Sequence, residues 1–586
     1  MKGIRNTQFG KAETGKSLLL DSAVLLLLIC LCSYTIAVLS FFVGITIQPW
    51  MFPVGAILAF LIWRFGFVAS NKNLLVKTLL VVGVFVGSIL CACLIYDISW
   101  DGNTYHKTAV GLLMDGWNPL HTDCMEVLPE DWKTGGMQYN AQWVNHYANG
   151  GWVLAATIAS TVGNIEAGKS INLIIMVAVF FLLFWYMQQK SIGTFGAIVI
   201  SLLAVCNPIT VSQVESFYVD GNLYLCLLLA VMAMLMLWDC SCGGVRRTSL
   251  FLLFFAIVFA INLKFTGAVY IGVFCIAIYL CWLVLATRKQ QLFKVFWKSS
   301  ALFGGMALVA VLFYGSSSYV CNFLEKGNPL YPLLGEDKVD IMAYSEPNGF
   351  AGKSEPEKSL RSLFAKTDNS CIGRSGGKIQ EKIPFSVSIA EIKSGKNTDT
   401  RAAGMGPWFS GIFLLAIGID ACYLRKIRRK DGALALQLLG ILFASALLFL
   451  FVPGSWWMRY SAHIYFYVIL AGVAVVQWVQ DRLCKSRVVV ASILGTLLAV
   501  NTGIFFLSPA MGVYRTREIR KEQQLLQALS RDYSVSVACP TAHMTGVFWN
   551  LKQWNVRFTV KETLEQGQMA YGDLLMWDSS AMSESE

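Results

Sequence analysis

The chain has 586 residues, of which 56% are hydrophobic, 13% aromatic and only 14% charged. A soluble domain carries roughly a quarter charged residues, so the composition excludes a soluble globular enzyme, a disordered chain, a single-span receptor and a disulfide-stapled module. The net charge of +11 points to nucleic acid only if the basic residues are not topology signals.

Apolar blocks matching the roughly 20 residues that a bilayer-crossing helix needs recur along the sequence. They predict an all-α polytopic membrane protein with about thirteen spans, near 22–45, 51–70, 74–96, 169–188, 193–207, 219–238, 249–263, 266–286, 301–320, 407–424, 432–452, 461–479 and 488–508. The blocks at 193–207 and 249–263 are short. Lys2, Arg5, Lys11 and Lys16 place the N-terminus in the cytoplasm. Alternation then brings Lys72 and Lys77, Arg246 and Arg247, Arg288 with Lys289, Lys294 and Lys298, the run from Arg425 to Lys430, and Arg482 with Lys485 and Arg487 to the same side. Much of the positive charge therefore reads as an orientation signal, and no nucleic-acid partner is expected. The first apolar block is too long for a cleavable signal peptide and lacks a small-residue cleavage site.

The same alternation exposes 97–168, 321–406 and 509–586 on the non-cytoplasmic face. The first loop is acidic, with Asp97, Asp101, Asp115, Asp123, Glu126, Glu130, Asp131 and Glu166 against Lys107 and Lys133, and Lys169 at its edge. The second is mixed and basic, rich in Gly, Ser, Asn and Pro, and reads as irregular structure with short elements. The tail opens with an amphipathic stretch, Arg515 to Leu529, after which Tyr533 to Ala538 and Val556 to Val560 alternate like strands. This is a small α/β-like cap, too small for an independent enzyme. The chain divides into a cytoplasmic segment with two extra spans (1–70), a membrane module with the first outer loop (71–320), the second outer loop (321–406), further spans (407–508) and the outer tail (509–586). Most of the sixteen cysteines lie in spans, where they act as small hydrophobes. Cys124, Cys321, Cys371 and Cys539 lie outside them, so one or two bridges are open and none is assigned. Neither Cys91 with Cys93 nor Cys240 with Cys242 has zinc-type partners.

Ionisable residues at span ends are the candidates for chemistry. If Asp97 to His106 is helical, Asp97, Asp101 and Tyr105 are each four apart and share one face, with His106 beside them. His146 and Tyr147 follow in an aromatic, amide-rich stretch, ahead of Val153 to Val162, which is too short to span. Glu166 sits at the mouth of the next span, and Asp220 opens a later one. The alternative for each is a solvated or interfacial helix end.

Trp100-Asp101-Gly102, Tyr105-His106, Gly116-Trp117-Asn118-Pro119, His146-Tyr147, Gly163-Asn164-Ile165-Glu166, Asn207-Pro208 and Asp220, in this order and loop placement, resemble the glycosyltransferase C superfamily over roughly residues 75–290. Asn322 to Leu333 and Trp456-Trp457-Met458-Arg459-Tyr460 resemble its bacterial members more softly. The resemblance implies a multispan enzyme taking a sugar from a polyprenyl-phosphate carrier on the outer face, with Asp101 as catalytic carboxylate, Asp97 as the competing choice, and Asp220 as the later loop acid. It also implies a glycan, lipid or protein acceptor and a bacterial inner-membrane setting. The two extra N-terminal spans depart from the family pattern.

An anionic lipid phosphate at the bilayer surface calls for nearby cations. Lys264 and Arg459 stand at span ends on the predicted outer face beside aromatic residues; the alternative is snorkelling. In the resulting scheme Asp101 is the general base, Lys264 and Arg459 hold the leaving phosphate, and Tyr105, His106 and His146 orient the acceptor or the base. Phosphate departs as a stabilised anion, so no cofactor is required, although Asp220 with Asp97 could share a divalent cation. The rival functions are a transporter or flippase of lipid-linked glycans, an envelope-glycan polymerase or ligase, and a structural or receptor role. No internal repeat supports the transporter, and the polar clusters sit at span ends rather than at the midplane.

Overall fold

The computed structural model describes residues 17–578 apart from 69–71, 240–242, 288–289, 337, 340–344, 370–378, 542 and 566. The predicted signals at Lys2, Arg5, Lys11, Lys16, Arg288 and Lys289, and Cys240, Cys242 and Cys371, lie outside the described residues.

Each of the thirteen apolar blocks is helical. In chain order the first part comprises α1 (Ser17–Phe42), α2 (Met51–Gly66), α3 (Leu74–Leu94), α4 (Lys107–Met114), α5 (Gly135–His146), α6 (Gly150–Val162), α7 (Ile171–Gln189), α8 (Thr194–Val205), α9 (Pro208–Gln213), α10 (Asp220–Asp239), α11 (Gly243–Leu263), α12 (Phe265–Thr287) and α13 (Leu292–Val309). Helices Phe409–Lys430, Gly432–Phe451, Tyr465–Asp481 and Lys485–Gly503 complete the bundle. Among the described residues ten helices are long and apolar enough to cross a membrane, and the chain is an integral membrane protein. The short block at 249–263 proves longer than its apolar run, because α11 begins at Gly243 and takes Arg246 and Arg247 into its first turns. At 194–205, by contrast, α8 stays short.

The N-terminal spans are built into the bundle. α1 packs on α2, α6 and α7. Gly55 lies so close to α1 that a Cβ there would come within 2.4 Å of Ser33 Oγ, the small-residue contact that lets membrane helices approach. Lys77 Nζ meets Asp21 Oδ2 at 2.6 Å and the Trp63 indole donates to Asp21 O at 2.8 Å, so α2 and α3 are both tied to α1.

The two long loops and the tail converge on one end of the bundle. Residues 96–99 are irregular; the chain becomes helical at Trp100 and passes through one π-turn, Gly102–His106, into α4. The tail forms helix Leu507–Leu529, helix Val547–Gln553 and a four-stranded sheet of β1 (Val535–Ala538), β2 (Phe558–Val560), β3 (Gln568–Ala570) and β4 (Leu575–Trp577). The strand order is β2-β1-β4-β3, with β1 parallel to β2 and the other pairs antiparallel. This cap is clasped to the first loop. Gly546 N donates to Asn103 O at 2.8 Å, Trp549 Nε1 to Asp115 Oδ2 at 2.9 Å, and the Trp549 ring covers Gly111 so closely that a Cβ would meet it at 2.2 Å. Cys124, Cys321 and Cys539 carry free thiols.

Candidate active site

Four segments that are far apart in sequence bring charged side chains together at the capped end. Asp101 comes from the turn before α4, Asp220 from the first residue of α10, Lys264 from the break between α11 and α12, and Arg459 from the 3-10 segment Met458–Ile464. Arg459 Nη1 contacts Asp101 Oδ2 at 2.7 Å, and its Nε lies 3.9 Å from Asp220 Oδ2. Lys264 Nζ meets the other oxygen, Asp220 Oδ1, at 2.7 Å. Lys264 and Arg459 are buried and turned inward, which removes the snorkelling alternative for both. Aromatic faces wall the cluster: the Lys264 ammonium lies 3.7 Å from the Tyr460 ring centroid, and the Arg459 guanidinium lies 4.6 to 5.0 Å from those of Trp457, Tyr218 and Tyr460. Cations against such faces gain quadrupole attraction that strengthens as water is excluded.

The second outer loop supplies an acid and a base that sequence reasoning missed. Arg459 Nε is 3.4 Å from Asp399 Oδ1, the Trp457 indole donates to the same oxygen at 2.8 Å, and Arg401 Nε pairs with Asp399 Oδ2 at 3.0 Å. Main-chain bonds fix this register: Met458 N donates to Arg401 O and Arg459 N to Thr400 O, both at 3.1 Å. Three carboxylates and three cations therefore share the cluster. Its signal in the sequence was the Asp399-Thr400-Arg401 alternation inside a loop otherwise rich in Gly, Ser and Asn.

Asp101 keeps a side-chain exposure of 17%, enough to meet an incoming group. Burial would raise its pKa, but the Arg459 guanidinium bonded to it outweighs this and holds it below the usual carboxylate range. Tyr105, one turn on, reaches Asp101 Oδ2 only at 3.5 Å. His106 is buried, which pushes its pKa down to about 3, and the Trp152 indole donates to its Nδ1 at 2.7 Å. That nitrogen is therefore unprotonated, and the ring is a neutral wall of the site carrying its proton on Nε2.

Four expectations meet a different geometry. Asp97 does not share a face with Asp101 and Tyr105, because the helix starts after it; its oxygens accept from Ser99 N at 2.8 Å and Phe217 N at 2.9 Å. Burial raises its pKa, against the pull of Lys107 and Lys169. Asp97 and Asp220 are thus committed to different partners and are not brought together as a cation-binding pair, and among the described residues no group of three or more His, Cys, Asp or Glu is placed to hold a metal ion. Glu166 belongs to a second, sealed cluster. Lys107 Nζ and Lys169 Nζ meet its two oxygens at 2.8 and 2.7 Å, all three side chains being inaccessible, and Asn550 Nδ2 and Tyr571 OH from the cap donate to Oε1 at 3.0 and 3.3 Å. His146 bonds Asn322 Oδ1 at 2.8 Å and meets the Tyr331 ring edge-on; this pairing orients the second loop rather than Asp101.

No family model matches the chain, and no curated protein matches it in sequence. Among solved structures it is similar to ArnT from Cupriavidus metallidurans bound to undecaprenyl phosphate, at 12% identity and a TM-score of 0.47, over 85% of this chain and 87% of that one.

Proposed function

We propose that the chain is a membrane glycosyltransferase of the glycosyltransferase C type, moving a sugar from a polyprenyl-phosphate carrier to a glycan, lipid or protein acceptor on the non-cytoplasmic face of a bacterial inner membrane. The observation that carries this reading is the Asp101–Arg459–Asp220–Lys264 cluster: a partly accessible carboxylate clamped by an arginine, with a second cation beside it, under a cap at the end of the bundle.

An ion-paired carboxylate is a weak base, and the arrangement supplies its own remedy. An arriving phosphate competes with Asp101 and Asp220 for Arg459 and Lys264, because guanidinium and ammonium groups bind phosphate through charge-assisted hydrogen bonds. The cations transfer to the phosphate and Asp101 is released from its clamp, which raises its basicity as the donor binds. Asp101 then accepts the proton of the acceptor hydroxyl as that oxygen bonds to the anomeric carbon. The bond from that carbon to the carrier oxygen breaks, and its electron pair leaves with the polyprenyl phosphate, stabilised by Arg459 and Lys264. Asp399 and Arg401 keep Arg459 aimed while it changes partner.

Asp101→Asn tests the reading in proteoliposomes supplied with polyprenyl-phosphate sugars and membrane-extracted acceptors. Loss of the base lowers transfer by about 10²- to 10⁴-fold while the variant still inserts and unfolds cooperatively, with its transition lowered only by the loss of the Asp101–Arg459 pair. A wild-type rate in a well-folded variant overturns the assignment of Asp101.

A further inference from the structure

Across the Asp399–Arg401 segment from the charged cluster lies a cavity of about 520 Å³ that the proposed reaction does not use. Its frame is a short ladder, with Lys366 N donating to Gln380 O at 2.7 Å and Lys382 N to Phe364 O at 2.9 Å. Helix Ile389–Ser394 closes one side, its Glu391 carboxylate accepting from Thr367 N at 3.0 Å. Lys366, Lys393 and Lys396 line the cavity and are exposed. Lys366 donates to the neutral Gln380 amide at 2.9 Å. Of the two acids in the lining, Glu391 is buried and neutralised by Lys382. With Glu391 so neutralised, the described lining carries Lys366, Lys393 and Lys396 against Asp368 and is net positive.

The same segment carries an apolar edge. Ile383 is 80% and Ile389 72% exposed, and Phe385, Val387 and Ile392 are exposed beside them. The segment is seated at the ends of spans through Phe385 and Gly395. The Phe385 ring covers Gly411, where a Cβ would approach it to 2.5 Å, and Gly395 is pressed on Ile504 equally closely. Gly411 lies in the first turn of helix Phe409–Lys430, and Ile504 follows helix Lys485–Gly503. An apolar row of this kind on a water-exposed loop is unfavourable, whereas at the rim of a membrane bundle it continues the lipid-facing surface. The basic cavity behind it then opens at head-group depth.

We propose that this cavity binds the phosphate of a membrane lipid head group, with the lipid's chains running down past Ile383, Phe385 and Ile389. The site stands whether or not the bundle transfers sugar, and it is distinct from the Arg459–Lys264 pair. It is linked to that pair through Asn369, whose Oδ1 accepts from Arg401 N at 2.9 Å.

Native mass spectrometry of the full-length protein in detergent, titrated with phosphatidylglycerol, phosphatidylcholine or inorganic phosphate, tests the proposal. The wild type retains one phosphatidylglycerol in preference to phosphatidylcholine. The triple variant Lys366→Ala, Lys393→Ala, Lys396→Ala binds it on the order of a hundredfold more weakly, at about 1 kcal/mol per lysine near an anionic surface. Ile383→Ser with Ile389→Ser weakens the same binding while leaving the lysines in place. Equal binding by wild type and the triple variant overturns the site. Displacement of phosphatidylglycerol by millimolar inorganic phosphate, or unchanged binding in the double serine variant, overturns its lipid character. The conservative single variant Lys393→Gln, expected to lose about fivefold, guards against a folding defect in the triple variant.

Discussion

Two buried clusters of acids and bases lie near the same end of the bundle, each pairing carboxylates with cations, yet they are finished differently. Around Glu166 every polar atom is spoken for: two lysines take its two oxygens, and Asn550 and Tyr571 seal the remainder at zero exposure. Around Arg459 the charges balance, but the packing leaves an accessible edge at Asp101, a guanidinium shared among three carboxylates at 2.7 to 3.9 Å, and an Nε without a well-aligned hydrogen bond. A fully satisfied ionic network fixes a conformation. One that can exchange partners offers its charges to a ligand. The contrast separates a lock from a site more clearly than burial or charge does.

Substitutions that separate stability from activity test this contrast. The largest effect on folding is expected from Glu166→Ala, which strands Lys107 and Lys169 without a counter-charge and costs about 3–5 kcal/mol; thermal unfolding in detergent reads it as a sharply lowered transition. An unchanged transition would show that the cap is not held by this network. Arg459→Lys keeps one charge but loses the fork that reaches Asp101, Asp399 and Asp220 together. Its apparent KM for the polyprenyl-phosphate sugar should rise about tenfold, close to 1.4 kcal/mol, with little change in unfolding temperature; Lys264→Ala should raise the same KM and also lower the unfolding temperature, because it takes the ammonium partner from the buried Asp220. Tyr571→Phe removes one hydroxyl from the sealed cluster and should cost about 1 kcal/mol without altering transfer kinetics.

The most gradual effect is the response to pH. Because burial holds His106 at about 3 in the folded protein against about 6.5 when unfolded, the unfolded chain binds the extra proton, and folding stability falls as pH drops from about 6.5 towards 3. His106→Gln, which keeps an acceptor for Trp152, should flatten that slope between pH 6.5 and 5 in unfolding experiments. Asp101 has the opposite relation to its charged form. Its lowered folded pKa adds stability that is present above the ordinary carboxylate range and is lost only when pH falls through the lowered value.

The membrane scaffold was legible because about 20 consecutive apolar residues leave a span as the only economical structure, and β1 and β2 of the cap were legible from their alternation, whereas β3 and β4, three residues each, were not. The inward cations Lys264 and Arg459, and the acids Asp101 and Asp220, were readable as isolated charges at span ends. What could not be read was which charges meet. Glu166 and Asp220 look alike in sequence, and only partners 384 and 405 positions away, Asn550 and Tyr571, turn the first into a lock. Asp97 was grouped with Asp101 by assuming a helix that begins three residues later. Asp399 and Arg401 lie in a stretch with no hydrophobic period, where residue spacing carries no geometric information.

The clasp between cap and first loop also governs the order in which the molecule can mature. Lys107, Glu166 and Lys169 are all synthesised more than about 380 residues before Asn550 and Tyr571, so the trio exists before the cap residues that complete its hydrogen bonds. The loop bearing Asp101 gains its bonds to Gly546 and Trp549 only when the cap docks, so the capped end of the protein is completed after the scaffold that carries it.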